Sequence, residues 1–146
     1  MAPDESVSLR PVTRANVRAI CDLELADSQR RLVAPAAYTV AEGNYEPGAI
    51  LRAIYRGERL VGVLLVEVET GAPYLVRFMV GVEHQRAGVG RRAVELLVDE
   101  LRAAGWSALE TSHVPGADGP GGFWRRCGFE PTGRERHGEP VLVRAL

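Results

Sequence analysis

Alternating apolar and polar residues in the first half of the chain predict a β-sheet. Residues 7–12 alternate and predict a first strand. Three more runs follow, at residues 50–56, 59–69 and 74–82, and short turns that contain glycine separate them. This arrangement predicts an antiparallel meander of three strands. Gly62, within the second of these runs, indicates a bulge or a close packing contact.

Helical spacing of apolar residues appears before and after the meander. After residue 90, apolar residues recur at intervals of three and four and predict a helix that ends at Gly105. Two earlier helices are predicted at residues 13–25 and 39–45, each opening on a threonine suited to cap it. A fourth, short helix is predicted at residues 123–127.

The order of the elements predicts the fold class. A strand at residues 108–114 follows the long helix, so we expect it to lie parallel to the strand at 74–82 through a right-handed crossover. Two strands, 129–136 and 141–146, close the chain. The prediction is a single α/β (α+β) domain over residues 1–146. Its sheet is mixed, mostly antiparallel and six- or seven-stranded, with one splayed parallel pair and about four flanking helices.

The turn between the strand at 74–82 and the long helix is rich in glycine and arginine. A strand, a glycine turn and a helix together place backbone N–H groups where they bind an anion, usually a phosphate. Gly88 and Gly90 let the backbone approach such a ligand, and Arg86, Arg91 and Arg92 add positive charge. This segment therefore predicts a phosphate-binding loop.

Other phosphate-binding loops were weighed against this pattern. A P-loop needs a lysine after its second glycine, and all 18 basic residues of this chain are arginine. The spacing of Gly88, Gly90 and Ala93 fits the dinucleotide fingerprint, and Glu110 follows about 20 residues on. That fold, however, opens with its fingerprint, whereas this loop lies past the middle of the chain. A plain strand-to-helix turn stays open as an alternative.

Composition excludes several classes of partner. A net charge of −1 gives no reason to expect nucleic acid or an anionic membrane. No apolar run approaches the ~20 residues of a membrane span, and the acidic N-terminus lacks the apolar stretch of a signal peptide. The two cysteines match no metal spacing and favour a reducing compartment. We therefore expect a cytoplasmic protein without a metal, nucleic-acid or membrane partner.

Two motifs resemble the GCN5-related N-acetyltransferase (GNAT) superfamily. Residues 85–90, Gln-Arg-Ala-Gly-Val-Gly, fit that family's Gln/Arg-x-x-Gly-x-Gly/Ala loop for acetyl-CoA. Residues 123–129, Phe-Trp-Arg-Arg-Cys-Gly-Phe, fit its Phe-Tyr-x-x-x-Gly-Phe segment. More narrowly, residues 76–79 (Val-Arg-Phe-Met) before the loop and the stretches 29–35 and 133–139 resemble the spermine/spermidine acetyltransferase branch.

The resemblance implies acetyl-CoA as co-substrate and assigns residues to it. Where the parallel strands splay apart, backbone groups of Phe78, Met79 and Val80 would pair with the pantetheine amides, and an N–H near Val80 would bind the thioester oxygen. The pyrophosphate would lie on the N–H groups at the helix start. The loop residues implied are Arg86, Ala87, Gly88, Val89, Gly90 and Arg91.

The resemblance also implies direct attack by an amine in a ternary complex, which needs a base and is helped by an acid. The family often supplies the acid from a tyrosine, and here that position holds Trp124, whose indole N–H is no acid near neutral pH. Packing in the core or against pantetheine is the alternative for Trp124. His113 is the first candidate base, with Glu83 as a second; surface residues are the alternative for both.

The region between the first two helices is assigned to recognition of the acceptor amine. An acidic and aromatic mouth would suit a polyamine, because ammonium groups bind carboxylates and ring faces. The residues assigned to it are Glu24, Gln29, Glu42 and Tyr45. The expected function is N-acetylation of a small primary amine, with a polyamine first. The alternatives are another amine, such as an aminoglycoside-like antibiotic or a protein amine, and a non-catalytic acyl-CoA-binding module.

The closing strands predict how the protein assembles. They carry apolar residues and a free edge, and exposed edges are usually covered by another strand or chain. We therefore expect a homodimer formed at that edge.

Overall fold

A computed structural model describes residues 6–24, 35–68, 71–85, 87–116 and 121–146. Seven strands and four α-helices lie in this part of the chain. In chain order they are β1 (Val7–Pro11), α1 (Val17–Cys21), α2 (Ala36–Tyr45), β2 (Ile50–Arg56), β3 (Arg59–Glu67), β4 (Tyr74–Val80), α3 (Val89–Ala103), β5 (Ala108–Ser112), α4 (Gly121–Arg126), β6 (Glu130–Arg136) and β7 (Glu139–Ala145). A 3-10 turn, Val82–His84, follows β4.

The strands form one mixed sheet in the order β1-β2-β3-β4-β5-β7-β6. Only β4 and β5 pair in parallel, and the other neighbours are antiparallel. The predicted fold class is therefore confirmed, including the parallel pair. Strand ends differ from the predicted ones by about two residues at most, the usual uncertainty of element boundaries.

Helices cover both faces of the sheet and define two apolar layers. The amphipathic helix α3 buries one side, which carries Val94, Leu97 and Leu101, against inward residues of β3, β4 and β5. On the opposite face, α1 and α2 pack on the other side of β2, β3 and β4, with Ile20 and Val40 in that layer. Because β3 lies between both layers, all its residues from 61 to 67 are buried.

Gly62 packs against the neighbouring strand, as the sequence indicated. A Cβ at this position would lie 2.3 Å from the Met79 carbonyl oxygen. The register of β2 and β3 also shifts beside it, between Ile54 and Tyr55. The residue is glycine because β4 approaches too closely for any side chain, so this prediction is confirmed.

The first two helices differ from their predicted bounds. The helix α1 ends at Cys21, well short of residue 25, and Thr13 caps only the turn before it by accepting the Ala15 N–H at 3.2 Å. The prediction that Thr39 caps α2 was wrong. The helix begins after Pro35, whose φ of −54° suits a helix start. Thr39 is buried inside the first turns and its hydroxyl is turned back toward the Pro35 carbonyl.

Candidate active site

A cleft opens between β4 and β5 because the two strands pair only briefly. Their register covers Tyr74 with Glu110 and Leu75 with Thr111. The next residue of β4, Val76, has no partner on β3, since the register jumps from Leu75 to Arg77. This bulge bends β4 away from β5. The Thr111 hydroxyl donates to the Leu75 carbonyl at 2.9 Å and holds the closed end of the cleft together.

Backbone groups on the open half of β4 alternate between β3 and the cleft. The Gly81 N–H donates to the Val61 carbonyl at 2.7 Å, and the Met79 carbonyl lies against Gly62 of β3. Successive residues of a strand direct their backbone groups to opposite neighbours, so Phe78 and Val80 direct theirs into the cleft. Of the three residues predicted to pair with pantetheine, Met79 therefore has its backbone turned to β3 instead.

Gln85 occupies one of the backbone groups of β4 that face the cleft. Its side-chain amide donates to the Val80 carbonyl at 2.7 Å. The Val80 carbonyl is thereby occupied, and the Val80 N–H is the group that the strand directs into the cleft. Gln85 opens the loop motif, but the sequence alone assigned it no role. This contact fixes the loop to the end of β4.

The start of α3 faces the wide end of the cleft. Gly88 occupies the N-cap with a φ of 77°, and no atom of the described residues lies within 4 Å of the Cβ position. None of the described side chains caps the helix, and its first turn contains no acidic residue. The first N–H groups of a helix have no intrahelical acceptor, and here they carry the partial positive charge of a 15-residue helix. The arrangement fits a pyrophosphate. Ala87 and Arg91 are exposed beside it, and Arg86 lies outside the described residues.

Gly90 brings the start of α3 against an aromatic cluster. A Cβ there would lie 3.3 Å from the Phe123 ring and 3.5 Å from the Phe78 ring. Trp124 lies 5.5 Å from Phe78, 5.0 Å from Phe123 and 5.3 Å from Phe129, each measured between ring centroids. Trp124 is only 5% exposed. This environment supports a packing role for the indole, the alternative raised from the sequence.

His113 lies where the end of β5 meets the start of α4. Its Nδ1 lies 2.9 Å from the Val114 carbonyl, which can only accept, so Nδ1 carries the hydrogen. The other nitrogen, Nε2, then has its lone pair available. A Cβ on Gly121 would lie 3.1 Å from Nε2, so the glycine makes room for the half-buried ring. A neutral His113 in this tautomer can take up a proton at Nε2.

A cleft between diverging parallel strands, with a glycine-opened helix start at its wide end, matches the plan that the sequence motifs implied. The model of the acetyltransferase (GNAT) family matches residues 12–129. This chain belongs to the GNAT acetyltransferase family. It is therefore an acetyl-CoA-dependent N-acetyltransferase. No curated protein sequence matches it.

Solved structures repeat this GNAT fold over nearly the whole chain. A domain from Methanocaldococcus jannaschii DSM 2661 is 16% identical with a TM-score of 0.79, covering 98% of this chain and 100% of that one. The PaiA N-acetyltransferase from Thermoplasma acidophilum, in complex with coenzyme A, is 9% identical with a TM-score of 0.73, covering 97% and 99%. The ribosomal-protein-S18-alanine N-acetyltransferase from Escherichia coli is 17% identical with a TM-score of 0.69, covering 97% and 93%. These similarities concern the fold alone.

The residues predicted to bind the acceptor are only partly brought together in this GNAT fold. The Val82 N–H donates to the Glu24 carbonyl at 2.8 Å, which puts Glu24 and Glu83 side by side at the end of β4, both exposed. Tyr45 is 88% exposed at the end of α2. Gln29 lies outside the described residues.

Glu42, which the sequence assigned to acceptor binding, forms an ion pair within the protein. Its carboxylate pairs with Arg77 of β4 at 3.4 Å, and the two side chains are only 25% and 28% exposed. An acceptor ammonium would have to compete with this arginine. The pair instead ties α2 to β4 directly after the bulge.

One polar cluster at the closed end of the cleft was not predicted from the sequence. Tyr74 lies beside Glu110, Ser112 and Glu139, and Arg136 lies with its guanidinium 4.3 Å from the centre of the Tyr74 ring. Glu110 pairs with Arg134 of β6. Strand alternation alone put Glu110 and Ser112 on one face. Their neighbours on β6 and β7 required the sheet order.

No group of three or more His, Cys, Asp or Glu side chains in the described ranges could hold a metal ion. No helix in those ranges is long and apolar enough to cross a membrane.

Proposed function

We propose that this GNAT enzyme acetylates a primary amine of a small cationic molecule, and that a polyamine is the first acceptor to test. The observation that carries the proposal is a pair of exposed carboxylates, Glu24 and Glu83, which lie at the end of β4 beside the exposed side chain of Val82. Aliphatic surface with adjacent carboxylates suits an alkyl chain that carries ammonium groups.

The cleft supports a direct transfer in which each group has a distinct part. Acetyl-CoA supplies an acetyl group activated as a thioester. The N–H groups at the start of α3 hold its phosphates, Val80 pairs with the pantetheine, and the Phe78 N–H, the next cleft-facing group toward the closed end, donates to the thioester oxygen as negative charge develops there. His113 accepts at Nε2 a proton from the attacking ammonium.

Release of the sulfur does not require an acid. A coenzyme A thiol has a pKa near the ~8.5 of cysteine, so the thiolate leaves without a proton. Trp124, packed in its aromatic cluster, then needs no acidic hydrogen. Trp124→Tyr should keep or raise turnover with little change in acetyl-CoA affinity. Loss of acetyl-CoA binding in that variant would mean that the indole serves the cofactor site.

The acceptor class is tested by thiol release from acetyl-CoA with a panel of amines. The panel contains spermidine, spermine, a lysine peptide, a peptide with a free N-terminus and an aminoglycoside. We expect turnover of the polyamines. The double variant Glu24→Gln, Glu83→Gln should raise the KM for spermidine by about tenfold, since each exposed ion pair is worth up to about 1 kcal/mol. Glu130→Gln, on an exposed glutamate of β6, is the control and should leave KM unchanged.

The panel also has outcomes that contradict the proposal. Turnover of a peptide or an aminoglycoside without turnover of any polyamine would show that the acceptor class is wrong. An unchanged KM in the double variant would separate this pair of carboxylates from acceptor binding.

The base is tested with His113→Ala. The rate should fall, because the variant has no group at this position to accept the proton of the attacking ammonium. Retention of the wild-type rate would remove His113 from the mechanism and direct attention to Glu83.

A further inference from the structure

Tyr74 lies at the closed end of the cleft on the face of the sheet opposite α3. It is the register partner of Glu110 in the short parallel pair, and Ser112 follows two residues later on the same face of β5. The hairpin of β6 and β7 reaches the cluster from the other side. Arg136 lies over the Tyr74 ring, and the Ser112 hydroxyl donates to Glu139 at 2.9 Å.

The hydroxyl of Tyr74 is buried and has no hydrogen-bond partner of normal geometry among the described residues. Burial raises the pKa of Tyr74, and the neighbouring Ser112 hydroxyl offsets part of this rise. Ser112 donates its own hydrogen to Glu139, however, and not to the phenol oxygen. The residue as a whole is 9% exposed. The phenol therefore stays protonated, with oxygen lone pairs available to a ligand.

The other three tyrosines of the chain do not share this situation. The Tyr55 hydroxyl accepts a hydrogen bond from Asn16 at 3.2 Å. Tyr38 and Tyr45 are 59% and 88% exposed, so water reaches them. A buried hydroxyl without a partner destabilises the fold relative to phenylalanine of the same shape. The stability of the fold therefore does not explain why this residue is tyrosine and not phenylalanine.

The position of Tyr74 relative to the phosphate site indicates which part of bound acetyl-CoA comes near the phenol. Phosphates held at the start of α3 lie at the wide end of the cleft, and a chain that pairs with Phe78 and Val80 runs from there toward the closed end. Its acyl end comes closest to the strand pair that Thr111 holds together. Tyr74 belongs to that pair, and because the next residue, Leu75, packs in the layer under α3, the Tyr74 ring lies on the opposite face of the sheet.

We propose that the Tyr74 hydroxyl is a hydrogen-bond partner of the attacking nitrogen of the acceptor, with Glu110 and Ser112 completing the reacting end of the acceptor site. The phenol oxygen accepts an N–H of the amine, and the Glu110 carboxylate balances the charge of the ammonium. Arg134 contacts Oε1 of that carboxylate from β6. This inference rests on the proposed N-acetylation but not on the identity of the amine.

The test is Tyr74→Phe, with Tyr55→Phe as the control, because the Tyr55 hydroxyl contacts Asn16 and lies outside the proposed acceptor site. We expect kcat/KM for the amine to fall at least tenfold in Tyr74→Phe and to stay unchanged in Tyr55→Phe. The factor should be the same for every amine that the wild type acetylates, because the contact is to the reacting nitrogen. The rise in Tm caused by acetyl-CoA should be that of the wild type, and the unliganded Tm should be equal or higher.

Two results would overturn the inference. One is an unchanged kcat/KM in Tyr74→Phe, and the other is a loss of the acetyl-CoA effect on Tm, which would assign the hydroxyl to the cofactor. If Tyr74→Phe does not fold, Glu110→Gln is measured instead, with the same expectation and the same contrary result. If the wild type acetylates other amines but no polyamine, the acceptor class is wrong, and the Tyr74→Phe factor is measured with those amines.

Discussion

Replacing Gly88 by alanine tests whether the start of α3 binds the phosphates of acetyl-CoA. The φ of 77° at this residue lies in the left-handed region, and no atom of the described residues lies within 4 Å of the Cβ position. The new methyl group therefore contacts none of the described residues and projects toward whatever binds there. The conformation itself costs about 1–2 kcal/mol for a residue with a Cβ, with or without ligand.

The expected magnitudes follow from the length of the chain. Acetyl-CoA at about 100 times its Kd adds about 2.7 kcal/mol of stability. The unfolding entropy is about 2.1 cal/mol/K per residue. Divided by this entropy for 146 residues, the added stability corresponds to a rise in Tm of about 9 °C. We expect Gly88→Ala to lower the unliganded Tm by about 3–6 °C and to abolish most of the rise with acetyl-CoA.

The assay is thermal unfolding with and without acetyl-CoA, and Gly105→Ala is its control. Gly105, after the end of α3, has a φ of 94° and also has no atom within 4 Å of its Cβ position. The control carries a similar backbone strain far from the start of the helix, so it should lower Tm but keep the full effect of acetyl-CoA. If Gly88→Ala keeps that effect as well, the phosphates do not bind at the start of α3.

Three further predictions concern stability. Arg144→Gln should cost about 2 kcal/mol in a denaturant titration, because Arg144 donates to both carboxylate oxygens of Glu95 and to a backbone carbonyl; an unchanged midpoint would contradict this. Gly62→Ala should cost about 2–3 kcal/mol, since backbone must move to admit the Cβ, and a wild-type Tm would refute it. Burial lowers the pKa of His84, so its protonation favours unfolding and Tm should fall as pH drops below about 6.5. His84→Gln should flatten that decline, and an equally steep decline in the variant would assign it to other groups.

The fold and the cofactor loop were predictable because their signals are local in the chain. Strand alternation and helical spacing depend on neighbouring residues, so they located all seven strands and the long helix α3. Gly88 and Gly90 marked the loop because a backbone that must approach a ligand or an aromatic ring excludes a Cβ. The ends of α1 and α2 were less predictable, since Thr13 and Thr39 can bond to more than one backbone group.

The partners of the polar side chains were decided by the tertiary structure. Glu42 was predicted to bind an ammonium, and Arg77 reaches it because α2 packs across the face of β4 that carries Arg77 and Met79. Tyr74 gave no signal in the sequence, since its burial and the approach of Arg136 depend on strands β5, β7 and β6 folding beside β4. Periodicity determines which face of an element a residue occupies. Which groups meet across that face depends on register and sheet order, and these are set by contacts distant in the chain.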